Sequence, residues 1–394
     1  QRSKNLSSPS AHWPFTMNLQ NKPNNELLFV GFNQDYGCFA CGTDTGFRIY
    51  NCDPFKETHS KDFNKGGIGH VEMLFRCNIL ALVGGGSYPR FPPYKVMIWD
   101  DHQNRCIGEL SFRSEVKAVK LRRDRVVVVL EHKVYVYNFA DLKLVDHIET
   151  IKNPKGLCAL CPYSSNTVLV CPGLQKGHVR VELYDMKKTT IIPAHETSLA
   201  CFALNHDGTR LATASEKGTL IRTYDTATGN GLQELRRGAD RAEIYSICFS
   251  PTTEWLAVSS DHGTIHIFKL KEKSKGEQSD KKGASSNTSE AQPSGHKLVE
   301  GSEAPKSNPK SSFSFMKSLL PKYFSSEWSF AYYKIPDTRT IVSFGSDKNS
   351  IIVVSADGSF YKATFDPDKP GNECKMVSHK KFIKDVTEDE EDDA

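Results

Sequence analysis

The sequence predicts an all-β chain: a seven-bladed WD40-type β-propeller with a long disordered insertion in blade six. Three observations predict it. A unit of apolar strand, polar turn, second apolar strand, Gly-containing turn and third strand recurs from residue 27 onward. An aromatic closes each third strand, at Tyr50, Trp99, Tyr137, Tyr184, Tyr224, Phe268 and Tyr361, roughly every 40–50 residues until the last. Helical periodicity is nearly absent, so the crossover helices of a doubly wound α/β sheet have no place. Units of three or four short strands at that period stack radially as blades.

The first copy reads 27–32, the turn Asn33-Gln34-Asp35, 37–41, the turn Thr45-Gly46 and 47–50. The second runs from Val71 through 79–83 to 96–100. The third takes 116–121, 125–130 and 133–137, and the fourth 156–161, 167–171 and 178–184. The fifth takes 199–204, the turn His206-Asp207-Gly208, 210–214 and 218–224, and the sixth 244–249, 254–259 and 263–268. The seventh is read as 328–334, 340–344, 350–355 and 359–365. These segments are rich in Val, Ile, Leu and aromatics and are bounded by turn residues, as half-buried strands require.

The propeller is thus assigned to 26–384, between a polar, disordered leader at 1–25 and an acidic tail at 385–394. Residues 271–311 are Lys, Ser, Glu, Gly, Asn and Pro with almost no apolar side chain. Such a segment cannot offset its ordering entropy by burial. At its far end Met316, Leu319, Leu320, Tyr323 and Phe324 follow helical spacing, in a helix that Pro321 would kink or end. The whole of 271–324 is therefore read as a disordered, then amphipathic, loop of blade six.

Composition narrows the function classes. With 38% hydrophobic residues the chain can bury a sizeable core. The net charge of +4 conceals an asymmetry, because six acids lie between Glu388 and Asp393. Without them 51 basic residues face 41 acidic ones, a net of +10, which suits an anionic partner. No apolar run approaches the 18 residues of a membrane span. No signal-peptide core is visible, and Met17 offers an alternative start. Most of the eleven cysteines sit in apolar runs, as buried free thiols of a reducing compartment do.

The sharpest local signal is Leu235-Arg236-Arg237-Gly238. Neighbours in an extended strand point to opposite faces. Adjacent arginines there serve two places, and each offers a planar fork of donors suited to phosphate oxygens. They lie between two matching turns, Ser215-Glu216-Lys217-Gly218-Thr219 and Ser260-Asp261-His262-Gly263-Thr264. Arg236 is expected to face blade five and Arg237 blade six, each joining hydroxyls in a phosphate-monoester site. Taken alone, such turns more often brace loops.

The order Ser-x-x-Gly-Thr-x-Ile-Arg, Leu-Arg-Arg-Gly, Ser-Asp-x-Gly-Thr-x-His resembles the PROPPIN family, the WD-repeat phosphoinositide-interacting proteins of autophagy. Phe32-Asn33-Gln34-Asp35, Leu80-Ala81-Leu82-Val83-Gly84-Gly85-Gly86 and Asn153-Pro154-Lys155-Gly156-Leu157-Cys158 extend the resemblance. The turn 84–93 with Ile98-Trp99-Asp100-Asp101 looks most like the branch that works with the autophagy lipid-transfer protein. The resemblance implies binding of phosphatidylinositol 3-phosphate and 3,5-bisphosphate at two rim sites. By motif position the first would use His195, Ser215, Thr219, Arg222 and Arg236. The second would use Arg237, Ser260, Thr264 and His266, with His262 a further candidate. It further implies a membrane-inserting loop with Phe313, Phe315, Met316, Leu319 and Leu320, for which packing as a last strand of blade six is the alternative. A cytoplasmic protein, peripheral on phagophore, preautophagosomal and endolysosomal membranes, would follow, with blades two and three recruiting the lipid-transfer protein.

Other patterns are empty. Cys38/Cys41 and Cys158/Cys161 lie three apart inside strands, where they project to opposite faces and cannot share a metal. Gly84-Gly85-Gly86 lacks the Lys-Ser/Thr ending of a phosphate loop and is read as a flexible turn. Arg122-Arg123-Asp124-Arg125 is read as a solvated rim turn. No nucleophile is paired with a base, so no enzyme, cofactor or metal is expected. Nucleic acid is disfavoured because no basic stripe is interleaved with aromatics. The rival reading is a WD40 scaffold that binds only proteins and grips an acidic peptide with the arginine pair.

Overall fold

The structure, a computed structural model, describes residues 16–18, 26–163, 167–271, 307–309 and 326–383. Seven mainly antiparallel sheets follow one another along the chain as seven blades. In blade one Leu27–Phe32, Cys38–Thr43, Gly46–Cys52 and Phe55–Asp62 pair in sequence order. Its three inner strands are buried almost throughout, whereas the fourth is mostly exposed. Blades two, three and four repeat the pattern and end on Arg105–Ser111, Leu144–Glu149 and Lys188–Pro193. Thr16–Asn18 also pairs with Leu27–Phe32, so three residues of the expected disordered leader form a strand.

Blade five comprises Leu199–Leu204, Arg210–Ser215, Leu220–Asp225 and Gly231–Arg236. Blade six comprises Ile244–Phe249, Trp255–Ser260, Thr264–Lys269 and Ala331–Lys334. The reading of 328–334 as the start of blade seven is corrected here. Ala331–Lys334 pairs antiparallel with Thr264–Lys269 and completes blade six after the insertion. Blade seven instead uses Thr340–Phe344, Ser350–Ser355, Ser359–Thr364 and Lys375–Lys381.

The core lies between blades, because every blade is apolar on both faces. One cluster joins blades four and five through Val179, Val181, Leu211 and Tyr224. Another joins five and six through Ile221, Leu235, Val258 and Phe268. Cys38 and Cys41 enter different clusters, as do Cys158 and Cys161, as strand alternation requires. The triple glycine is packed rather than loose, since a Cβ on Gly84 would stand 1.7 Å from the Phe91 carbonyl oxygen. Arg122 is also not solvated: it is 3% exposed, pairs with Asp124 at 2.6 Å and donates to Thr167 Oγ1 at 2.9 Å. Among the described residues no helix is long and apolar enough to cross a membrane.

Candidate anion sites on the rim

The arginine pair closes the outer strand of blade five. In its register Arg222 lies opposite Glu234 and Leu220 opposite Arg236, so Arg222, Glu234 and Arg236 share one face. That face looks to blade four, which corrects the expectation that Arg236 addresses blade five. Arg222 donates from Nη1 to the Ala194 carbonyl at 2.8 Å and from Nε to Glu234 at 3.0 Å. Thr213 lies opposite Arg222 on the next strand and meets His195 Nε2 at 2.9 Å. Ser215, two residues beyond Thr213, ends that strand and is buried. Thr219 lies past the turn, and its carbonyl accepts from the Arg237 amide at 3.0 Å. His195, Arg222 and Arg236 thus converge on the cleft between blades four and five.

Arg237 goes the other way, toward blade six. It donates from Nε to the Gly218 carbonyl at 2.9 Å and from Nη2 to the Asp240 carbonyl. Burial pulls its guanidinium below the ordinary arginine value, while Asp261 and Asp240 oppose the shift. His266 lies on the face of blade six that meets blade five, sharing a hydrogen bond with Ser329 Oγ at 3.3 Å. Ser260 is 1% exposed, and its hydroxyl has no hydrogen-bond partner among the described residues. Thr264 donates to the His262 carbonyl at 3.2 Å, and exposed His262 meets the Arg241 carbonyl at 3.1 Å. Both arginines are 5–7% exposed, so they lie inside clefts rather than projecting from the rim. Gly218 and Gly263 turn the chain at equivalent places with positive φ, and a Cβ on Gly218 would stand 1.8 Å from the Ala242 carbonyl oxygen.

Burial pushes His195 and His266 down to about 4, helped by Arg222 at the first and by Arg237 and His262 at the second. Both rings are therefore neutral at pH 7 and offer hydrogen bonds rather than charge. Their folded values lie below the unfolded value near 6.5. Between those limits the unfolded chain binds more protons, so stability falls as pH drops from about 6.5 toward 4. Urea midpoints followed over that range are expected to decline, and to decline less steeply in a His195→Gln/His266→Gln variant. Equal slopes would show that the rings do not titrate this way.

The insertion leaves from the end of the third strand of blade six and returns beside the outer strand of blade five. Glu327 and Trp328 pair in parallel with Leu235 and Arg236. Glu327 is buried and accepts from Lys271 Nζ at 2.6 Å, Gln233 Nε2 at 2.7 Å and Asn308 Nδ2 at 3.0 Å. Burial alone would raise its carboxyl, but these donors hold it below the usual value. Asn308 also bonds both backbone groups of Lys269 at 2.7 Å. Phe313, Phe315, Met316, Leu319 and Leu320 lie outside the described residues.

Sequence reasoning missed Thr213, Glu234, Ser329 and the Ala194 carbonyl. Glu234 carried a readable signal, since it stands two residues before Arg236 in a strand and must share its face.

The PROPPIN family model matches residues 26–289. Autophagy-related protein 18e of Arabidopsis thaliana is 40% identical over 362 residues, covering 91% of this chain and 88% of the relative. Autophagy-related protein 18 of Yarrowia lipolytica is 36% identical, covering 91% and 97%. Among solved structures, Kluyveromyces lactis Hsv2 superposes with a TM-score of 0.66 at 22% identity, covering 89% of this chain and 98% of that one. The complex of KlAtg21 with the coiled-coil of AgAtg16 gives a TM-score of 0.67 at 24% identity, covering 91% and 100%.

Proposed function

The chain belongs to the PROPPIN family, and from that membership we propose a non-enzymatic phosphoinositide effector of autophagy. It docks on membranes carrying phosphatidylinositol 3-phosphate or 3,5-bisphosphate through two rim clefts, and recruits autophagy proteins to the forming autophagosome. The observation that carries the reading is the divergence of Arg236 and Arg237 into separate clefts. Arg236 meets the face of Arg222 and His195, and Arg237 meets that of His266 and Ser260. Charge-assisted bonds from guanidinium, with hydroxyl and neutral imidazole donors beside them, suit a phosphate monoester. Two moderate contacts on one rigid body add by effective concentration. The stretch 313–324, amphipathic in sequence, precedes Ser326 and Glu327 in the chain, and its proposed part is apolar anchorage.

The far side of the ring is left for protein. A cavity of about 450 Å³ between blades two and three is lined by Phe112, Arg113, His132, Lys133, Tyr135 and Tyr137. An aromatic groove whose rim carries both Arg113 and Lys133 and the carboxylate of Glu131 suits an apolar peptide with polar flanks. It is assigned to the autophagy lipid-transfer protein. The protein then works peripherally on phagophore, preautophagosomal and endolysosomal membranes.

The test is flotation with phosphatidylcholine liposomes, with and without each phosphoinositide. Flotation is expected only with the 3-phosphate or 3,5-bisphosphate lipid. Absence of flotation on every composition, with peptide binding retained, would replace this reading by the protein-only scaffold.

A further inference from the structure

Glu234 faces Arg222 across the strand pair, and its two oxygens have different partners. Oε2 accepts from Arg222 Nε at 3.0 Å, and Oε1 accepts from Ser326 Oγ at 2.7 Å. Ser326 is 2% exposed and belongs to the returning end of the blade-six insertion. Arg222 and Glu234 side chains are about one third exposed, at 35% and 31%. A partly exposed cross-strand ion pair of this kind is held weakly. A phosphate monoester carries more charge than a carboxylate and accepts the guanidinium fork in two bonds.

We propose that Glu234 is the internal counter-anion of the first cleft. A phosphate headgroup exchanges with it at Arg222, and Ser326 retains the displaced carboxylate. This rests on the reading of the cleft as a headgroup site. It adds a residue that sets the affinity of that site and ties it to the base of the insertion. The exchange breaks one ion pair and forms another, with no proton transferred. Because Ser326 is followed directly by Glu327, which Lys271, Gln233 and Asn308 clamp, the hydroxyl stays beside Glu234 when Arg222 lets go.

The two partners of Glu234 predict opposite signs. Glu234→Gln keeps the shape and an acceptor oxygen but removes the competing charge. Binding of dibutanoyl phosphatidylinositol 3-phosphate, followed by calorimetry, is expected to tighten about two- to fivefold. Ser326→Ala throws the carboxylate back onto Arg222 and is expected to weaken binding about twofold. A merely structural role moves both variants the same way. Arg222→Ala is the reference and is expected to lose binding at this cleft. If it does, while Glu234→Gln binds no tighter than the unmodified chain, the counter-anion is overturned and the headgroup site stands. If Arg222→Ala binds as well as the unmodified chain, the headgroup reading of the cleft falls and the counter-anion falls with it.

Discussion

Exchanging Arg236 and Arg237 together for threonine is expected to abolish flotation with phosphatidylinositol 3-phosphate liposomes. A hydrogen bond to a charged group contributes on the order of 1.5–3 kcal/mol, and each arginine offers more than one to a phosphate. Losing one cleft removes the avidity of two, a factor on the order of 10² or more. Losing both leaves Arg222, already engaged by Glu234 and the Ala194 carbonyl, beside hydroxyls and neutral imidazoles, too little to hold a liposome. The two arginines differ in what else they do. Arg237 also fastens the carbonyls of Gly218 and Asp240, so its removal is expected to loosen that turn. Circular dichroism and the melting midpoint separate this cost from the loss of binding, since threonine suits the strand end that Arg236 occupies. Arg236→Thr alone should leave one cleft working and weak, salt-sensitive flotation. Full flotation by the folded double variant would remove the arginines from the site.

How much of this was legible follows from where each residue gets its partners. The inner strands of a blade are apolar on both faces, and their turns recur at a fixed period, so local pattern located them. The outer strands gave no such pattern. Phe55–Asp62 exposes most of its side chains, and so does Lys375–Lys381. A strand whose faces both meet water has no hydrophobic alternation to read. For that reason 328–334 reads as the start of blade seven: no apolar run before the insertion marks the outer strand of blade six, so the next apolar run falls to the next blade. The divergence of Arg236 and Arg237 was legible, because alternation along a strand is local. Which neighbours they meet was not, because a cleft is completed by the next blade. Arg122 shows the same limit. Its basic, turn-like surroundings read as solvated, yet Thr167, 45 residues on in blade four, takes its guanidinium. The Glu327 clamp gathers Gln233, Lys271 and Asn308 across as many as 94 residues, and no spacing rule points to it.

Phe39→Ala is expected to cost the most stability of any single exchange in the ring seam. Among the described residues blade seven and blade one trade no strand: the four strands of blade seven come from between Thr340 and Lys381, and the four main strands of blade one from between Leu27 and Asp62. Closure therefore rests on side chains. Phe39 is fully buried and stacks on Tyr50 at 5.0 Å within its own blade. It stacks on Phe360 at 6.1 Å and meets Phe382 edge-on at 5.2 Å across the seam. Tyr50 adds a hydrogen bond to the Phe382 carbonyl at 3.1 Å, and Lys362 of blade seven reaches Asp53 of blade one at 2.8 Å. The ion pair is partly exposed and contributes little. Truncating a buried phenylalanine costs about 3–5 kcal/mol, and lost aromatic contacts add about 0.5–1.5 kcal/mol each. Urea unfolding should show that loss at an unchanged m-value if the ring still opens as one unit. Headgroup affinity well below the new midpoint should stay as it was, because both clefts lie among blades four, five and six. A cost under about 1 kcal/mol would show that the seam is held elsewhere. A fall in headgroup affinity of the folded variant would show instead that strain at the seam reaches the rim.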